Sequence, residues 1–217
     1  MTTTTAALLL IALWLLYFAL HSLFASLWLK QRVASCWPQL MPGYRLAFNA
    51  LALLLLLPPL YLTLFYRSPW LWQWQGVGWY IANGLALLAV AGFIWSMRYY
   101  SGDEFLGLYQ WRRRITEVKD QEMLHISPLH RHVRHPWYFL GLVILWTRDM
   151  DLMLLITALM ATGYLWFGSR LEERKLIRYY GEVYREYQRR VPALLPLPWR
   201  RLDAQSAHEL ERRARGE

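Results

Sequence analysis

From Ala6 to Leu29 the chain carries no formal charge, a run long enough to cross the roughly 30 Å hydrocarbon core of a bilayer at about 1.5 Å per residue. Residues 46–66 and 78–97 repeat the pattern. Pro58 and Pro59 inside the second run are expected to kink it or end it early. A fourth apolar region, 136–169, is interrupted only by TRDMD at 147–151, which predicts two helices joined by a tight polar turn. The first of these spans only about 16 Å, roughly half of the hydrocarbon. Either TRDMD stops short of the outer surface or His135 sits at membrane depth. Irregular polar backbone at such depth must be covered by protein or line a wet cavity, so a pocket is expected there. After the last span, SRLEERKLIRYYGEVYREYQRRVPALLPLP (169–198) changes character: Ile177, Tyr180, Tyr184 and Tyr187 recur at helical spacing as one apolar-aromatic stripe on a charged helix. The pattern as a whole predicts an all-α, polytopic membrane protein with five transmembrane helices. The last two form a short hairpin, and the C-terminal part faces the cytoplasm.

Composition supports this. Hydrophobic residues make up 56% of the 217 positions and charged residues 18%, far from the soluble average. The 13 tryptophans and 14 tyrosines suit the two bilayer interfaces, and PWLWQWQGVGWY (69–80) reads as an interfacial belt. With the amino terminus outside and the carboxyl terminus cytoplasmic, the inner segments hold 22 of the 24 lysines and arginines, leaving Arg67 and Arg148 outside. That asymmetry follows the positive-inside rule and points to a bacterial inner membrane. It also accounts for the net charge of +9 without a nucleic-acid partner. The single Cys36 excludes an internal disulfide and a cysteine metal cluster. MTTTTAALLL has no basic n-region, so it reads as a retained first span. The tail WRRLDAQSAHELERRARGE is expected to be a surface helix or disordered, attracted to anionic lipid heads. The natural division is 1–97 (three membrane helices), 98–198 (core) and 199–217 (basic tail).

Candidate chemistry lies at the two ends of the hairpin. In HVRHPWYFLG (132–141), Pro136 suits the first turn of a helix, where its missing N–H costs nothing. His135 and Tyr138 then share a face. With Arg134 and the free N–H groups of the helix start they form an anion site, although an interfacial cap is the commoner meaning of such a motif. Glu172 and Glu173 fall where the last span leaves the membrane, near tyrosines, and could hold a ligand cation; a solvated Glu–Arg face is the alternative. Together the two ends suit a zwitterionic ligand with a separate positive centre. His21, Asn49 and Asn83 within the first spans should face protein, His21 either in an interhelical hydrogen bond or along an acceptor tunnel. His125, His130 and His132 lack metal-ligand spacing, and no metal is expected.

RHPWY followed by LEERKLIRYYGEVYREYQRRVPALLP resembles the signature of the integral-membrane methyltransferases typified by isoprenylcysteine carboxyl methyltransferase: Arg-His-Pro-x-Tyr, an apolar hairpin, a Glu-Glu pair, a Tyr-rich helix and a Val-Pro ending. DEFLGLYQ (103–110) and HSLFAS (21–26) look like the bacterial branch, which includes methanethiol S-methyltransferases. The resemblance is firm over about 98–198 and weak before it. One departure is Gly141, which here follows Phe139 and Leu140, one position later than in relatives. It is therefore turned by about 100° around the helix. The resemblance implies S-adenosylmethionine as donor and S-adenosylhomocysteine as product. It places the donor's carboxylate near Arg134 and His135 beside Pro136, and its body against Tyr138 and Tyr184. Its ammonium or ribose hydroxyls fall on Glu172 or Glu173, and Glu173 with Arg174 positions the acceptor. Expected acceptors are a small or lipophilic thiol or an isoprenylcysteine carboxylate, then a phospholipid amine. The rival readings are an NADPH-dependent membrane reductase and a non-catalytic membrane scaffold.

Overall fold

A computed structural model describes residues 1–118 and 123–217; Lys119, counted above among the inner cations, lies outside them. In chain order the described elements are α1 (Thr3–Ala25), α2 (Leu27–Cys36), α3 (Met41–Phe65), β1 (Trp70–Trp72), α4 (Gly76–Ser96), α5 (Gly102–Leu106), α6 (Leu108–Arg112), α7 (Pro136–Trp146), β2 (Met150–Asp151), α8 (Leu152–Arg190) and α9 (Ala204–Ala214). Short 3₁₀ turns at Pro38–Leu40 and Met97–Tyr99 complete them. Among the described residues, four helical stretches are long and apolar enough to cross a membrane: Thr3–Ala25, Pro38–Phe65, Gly76–Tyr99 and Leu152–Arg190. Pro136–Trp146 is a shorter apolar helix. The elements gather into two compact units that interleave along the sequence.

The first unit comprises residues 1–73, 100–120 and 149–160. Its core packs Ala6, Leu10 and Trp14 of α1 against Met153 and Ile156 of α8 and Leu56 and Leu60 of α3. The side-chain polar groups of Trp14, Thr63 and Thr157 beside it pair with one another, which hydrocarbon surroundings favour. Trp14 Nε1 donates to Thr157 Oγ1 at 2.9 Å, and Thr63 and Thr157 share a 2.7 Å hydroxyl contact. Pro58 and Pro59 do not end α3, contrary to one of the outcomes expected of them; the helix continues to Phe65. Thr63 Oγ1 donates to the Pro59 carbonyl one turn back at 2.8 Å, which satisfies its hydroxyl inside the helix. The aromatic belt contains a feature the composition does not show: Trp70–Trp72 pairs antiparallel with Met150–Asp151. A single extended residue, Ser26, ends α1 and caps α2, accepting from the Leu29 N–H at 3.3 Å. His21 lies against Tyr17 and Phe48, with ring centroids 5.6 and 5.1 Å away.

The second unit comprises residues 74–99, 121–148 and 161–217. Here α7 runs antiparallel along α4. Trp137 Nε1 donates to Ser96 Oγ at 2.8 Å near one end, and Arg148 Nη1 donates to Asn83 Oδ1 at 3.1 Å just past the other. Asn83 is about 10 Å along α4 from its start at Gly76, so the Arg148 guanidinium, two residues past α7, meets α4 short of that end. Gly141 is exposed, and a Cβ there would meet nothing within 4 Å; the close approach of these two helices falls instead at Gly92, where Leu140 lies 3.5 Å from the corresponding point. The tail is not disordered. Helix α9 is capped by Asp203, which accepts from the Ser206 N–H at 2.7 Å. It packs Ala207 and Leu210 into a core with Ile126, Tyr184, Tyr187, Val191 and Leu202.

Candidate functional site

Helix α7 begins where its sequence says it should. His135 is the N-cap residue and Pro136 occupies the first turn. The segment before it is tied down by backbone bonds, Arg134 N–H to the Pro192 carbonyl at 2.9 Å and His135 N–H to the Ala193 carbonyl at 3.0 Å. The Val-Pro-Ala stretch that follows α8 is thus the partner that fixes Arg-His-Pro in place.

The geometry of α8 brings the second half of the site to the first. Gly181 breaks the helical dihedrals with φ 55° and ψ −126°, a region open only to glycine at low cost. Its consequence is measurable: Gln188 Nε2 donates to Glu173 Oε2 at 2.8 Å, whereas fifteen residues of straight helix would separate them by about 22 Å. The chain therefore folds back at Gly181 over the carboxylate pair. The helical spacing of Ile177, Tyr180, Tyr184 and Tyr187 predicts one continuous helix, which Gly181 breaks; the single glycine in YYGEVY is the sequence signal of the break.

Glu173 is the hub. Only 3% exposed, it accepts on Oε1 from Arg134 Nε at 2.8 Å and Nη2 at 2.7 Å, and faces His135 Nε2 at 3.1 Å. Arg134 spends its remaining Nη1 on the Gln188 and Val191 carbonyls. Arginine and glutamate are therefore in direct contact rather than on opposite lips of a hollow, and both are occupied by protein. Desolvating such a pair is tolerable because nearly every donor and lone pair is matched. Glu172 differs. Its side chain is 48% exposed, it accepts from Tyr138 Oη at 3.3 Å, and it lies 3.6 Å from His135 Nδ1. The His135 and Tyr138 rings stack at 5.2 Å and 8°, making a flat wall beside an accessible carboxylate. Tyr184, 2% exposed, lies in the core beneath, edge-on to Tyr187. Arg174 is exposed on α8 and takes no part in the cluster around Glu173.

In the loop leading into the site, His130 is partly buried, its Nδ1 2.8 Å from Ser127 Oγ. Burial first, then nearby His125 and His135, push its pKa down to about 4. As pH falls from about 6.5 the unfolded chain gains a proton that folded His130 refuses, so stability present above 6.5 is lost toward 4. Thermal unfolding in detergent should show that decline, and His130→Gln should flatten it.

Against known proteins, the chain is 36% identical over 139 residues to a methanethiol S-methyltransferase of a Pseudomonas species, covering 60% of this chain and 48% of that protein. It is 30% identical over 205 residues to methanethiol S-methyltransferase 1 of Bradyrhizobium diazoefficiens, covering 86% and 66%. The chain is a relative of the methanethiol S-methyltransferases. A protein of that name from Mycobacterium tuberculosis matches at 34% over 146 residues, 59% of this chain and 58% of the other. The matched stretch spans about half the length of the Pseudomonas methanethiol S-methyltransferases. The Bradyrhizobium match reaches well beyond residues 98–198, the part of the chain in which the resemblance is firm. No family model and no solved structure matches the chain.

Proposed function

We propose that this chain is an integral-membrane methyltransferase that moves the methyl group of S-adenosylmethionine to a small thiol. The observation that carries the reading is the set of relatives named for methanethiol S-methylation. In this reading α7 supplies a fifth crossing, the amino terminus is outside, and the site faces the cytoplasm of a bacterial inner membrane; the distribution of lysine and arginine supports it.

The donor set suits the zwitterionic cofactor, with roles divided more sharply than the sequence suggests. S-adenosylmethionine supplies an electrophilic methyl group on a sulfonium. Glu172, accessible and hydrogen-bonded to Tyr138, is the group able to take the ammonium. The positive end of the α7 dipole suits a carboxylate, because the Arg134 guanidinium is already engaged. Stacked His135 and Tyr138 wall the cofactor body, with Pro136 setting the helix start and Tyr184 supporting the floor. Arg134 and Glu173 act as positioning residues that hold His135. Arg174, exposed beside the carboxylates, is the cation available to a thiol acceptor, which reacts as its thiolate. In-line transfer then depends on alignment and on exclusion of water.

The test uses membranes containing the full chain, isotopically labelled S-adenosylmethionine and methanethiol. Label is expected in dimethyl sulfide. Label appearing only on an isoprenylcysteine carboxylate offered in parallel, or on neither, overturns the thiol reading.

A further inference from the structure

At the end of the first unit where α1 meets α2, aromatic and cationic side chains of α2 and of the α5–α6 segment are exposed. The α5–α6 elbow is bound to the start of α3. Asn49 Nδ2 donates to the Phe105 and Leu106 carbonyls, each at 3.1 Å, and Arg45 Nε donates to the Phe105 carbonyl at 3.2 Å. Gly107, with φ 93°, lets the elbow press against Arg45 and Leu46, where a Cβ would sit 2.9 Å from the Leu46 nitrogen. From Leu46 to Tyr66 the chain has no charge, and that run is about 30 Å long, one hydrocarbon thickness. Arg45 therefore marks the border of the hydrocarbon, and Asn49 satisfies two carbonyls that lipid could not.

On this border the elbow turns Phe105, Leu106, Tyr109 and Trp111 outward, and α2 with its following turn does the same with Trp28 and Trp37. Trp28 is 67% exposed and Trp111 57%. Around them stand six cations, Lys30, Arg32, Arg45, Arg112, Arg113 and Arg114, against Asp103 and Glu104. Asp103 is already held by Arg112 at 3.1 Å, and Arg113 and Arg114 are exposed. Amphipathic rings settle at the headgroup level, and clustered arginines beside them attract anionic headgroups.

We propose that α2 and the α5–α6 elbow form a binding surface for anionic phospholipid headgroups, independent of the methyl-transfer reading. Full-length protein in detergent is offered equal phosphatidylglycerol and phosphatidylcholine, and retained lipid is counted by native mass spectrometry. Phosphatidylglycerol should be preferred, and Arg113→Gln with Arg114→Gln should weaken its binding roughly fivefold per arginine while leaving phosphatidylcholine unchanged. A spin label on Cys36, exposed at the end of α2, should be relaxed by nickel chelated to lipid headgroups in reconstituted bilayers. Equal retention of the two lipids, a preference unchanged in the double variant, or a label relaxed only by water-soluble nickel overturns the proposal.

Discussion

Replacing Glu173 by alanine should cost about 3–5 kcal/mol of stability, because it leaves the buried Arg134 guanidinium without its carboxylate. The neighbouring substitution Glu172→Ala should change stability by less than about 0.5 kcal/mol, as is usual for a half-exposed side chain, yet abolish binding of the methyl donor. Two adjacent glutamates thus have opposite signatures. Unfolding midpoints in detergent, paired with calorimetric titration of S-adenosylhomocysteine, separate them. Glu173→Gln keeps the shape and the Gln188 contact and should fall between the two. His135→Ala also carries a stability cost, since it removes a buried partner of Glu173. Equal destabilisation by both glutamate variants would defeat this division of roles.

Gly181→Ala is the second large effect, about 1–3 kcal/mol. No atom lies within 4 Å of the added Cβ, so the cost is conformational and not steric. The alanine chain relieves the strain by straightening α8, which pulls Gln188 and the Val191 carbonyl away from Glu173 and Arg134. Donor binding should therefore fall with stability. Full donor affinity in the alanine variant would show that the fold-back is dispensable.

The membrane helices and the short α7 were legible because hydrocarbon imposes length and apolarity on every crossing. The start of α7 was legible too, since proline after His135 allows few alternatives. Asn49 and Asn83 do face protein, as any polar group inside a span must. The relation of Arg134 to Glu173 was not legible. Thirty-nine positions separate them, and whether opposite charges pair or stand apart depends on the turn at Gly181, a single residue inside a stripe of helical spacing. The Trp70–Trp72 strand was hidden similarly: its partner lies at Met150–Asp151, and a run of tryptophans looks the same whether it lines an interface or pairs with a strand. For the tail, the alternation of Ala207, Leu210 and Glu211 matters only once α8 offers a face to receive it.

The backbone clasp between Arg134-His135 and Pro192-Ala193 also orders events during synthesis. More than fifty residues must leave the ribosome after His135 before its main-chain acceptors exist, and contacts so distant in sequence form late. A nascent chain arrested between Arg190 and Pro192 holds its membrane helices and both glutamates but not the stretch that seats the arginine. Synthesis must therefore run through Ala193 before the cluster of Arg134, His135 and Glu173 can set.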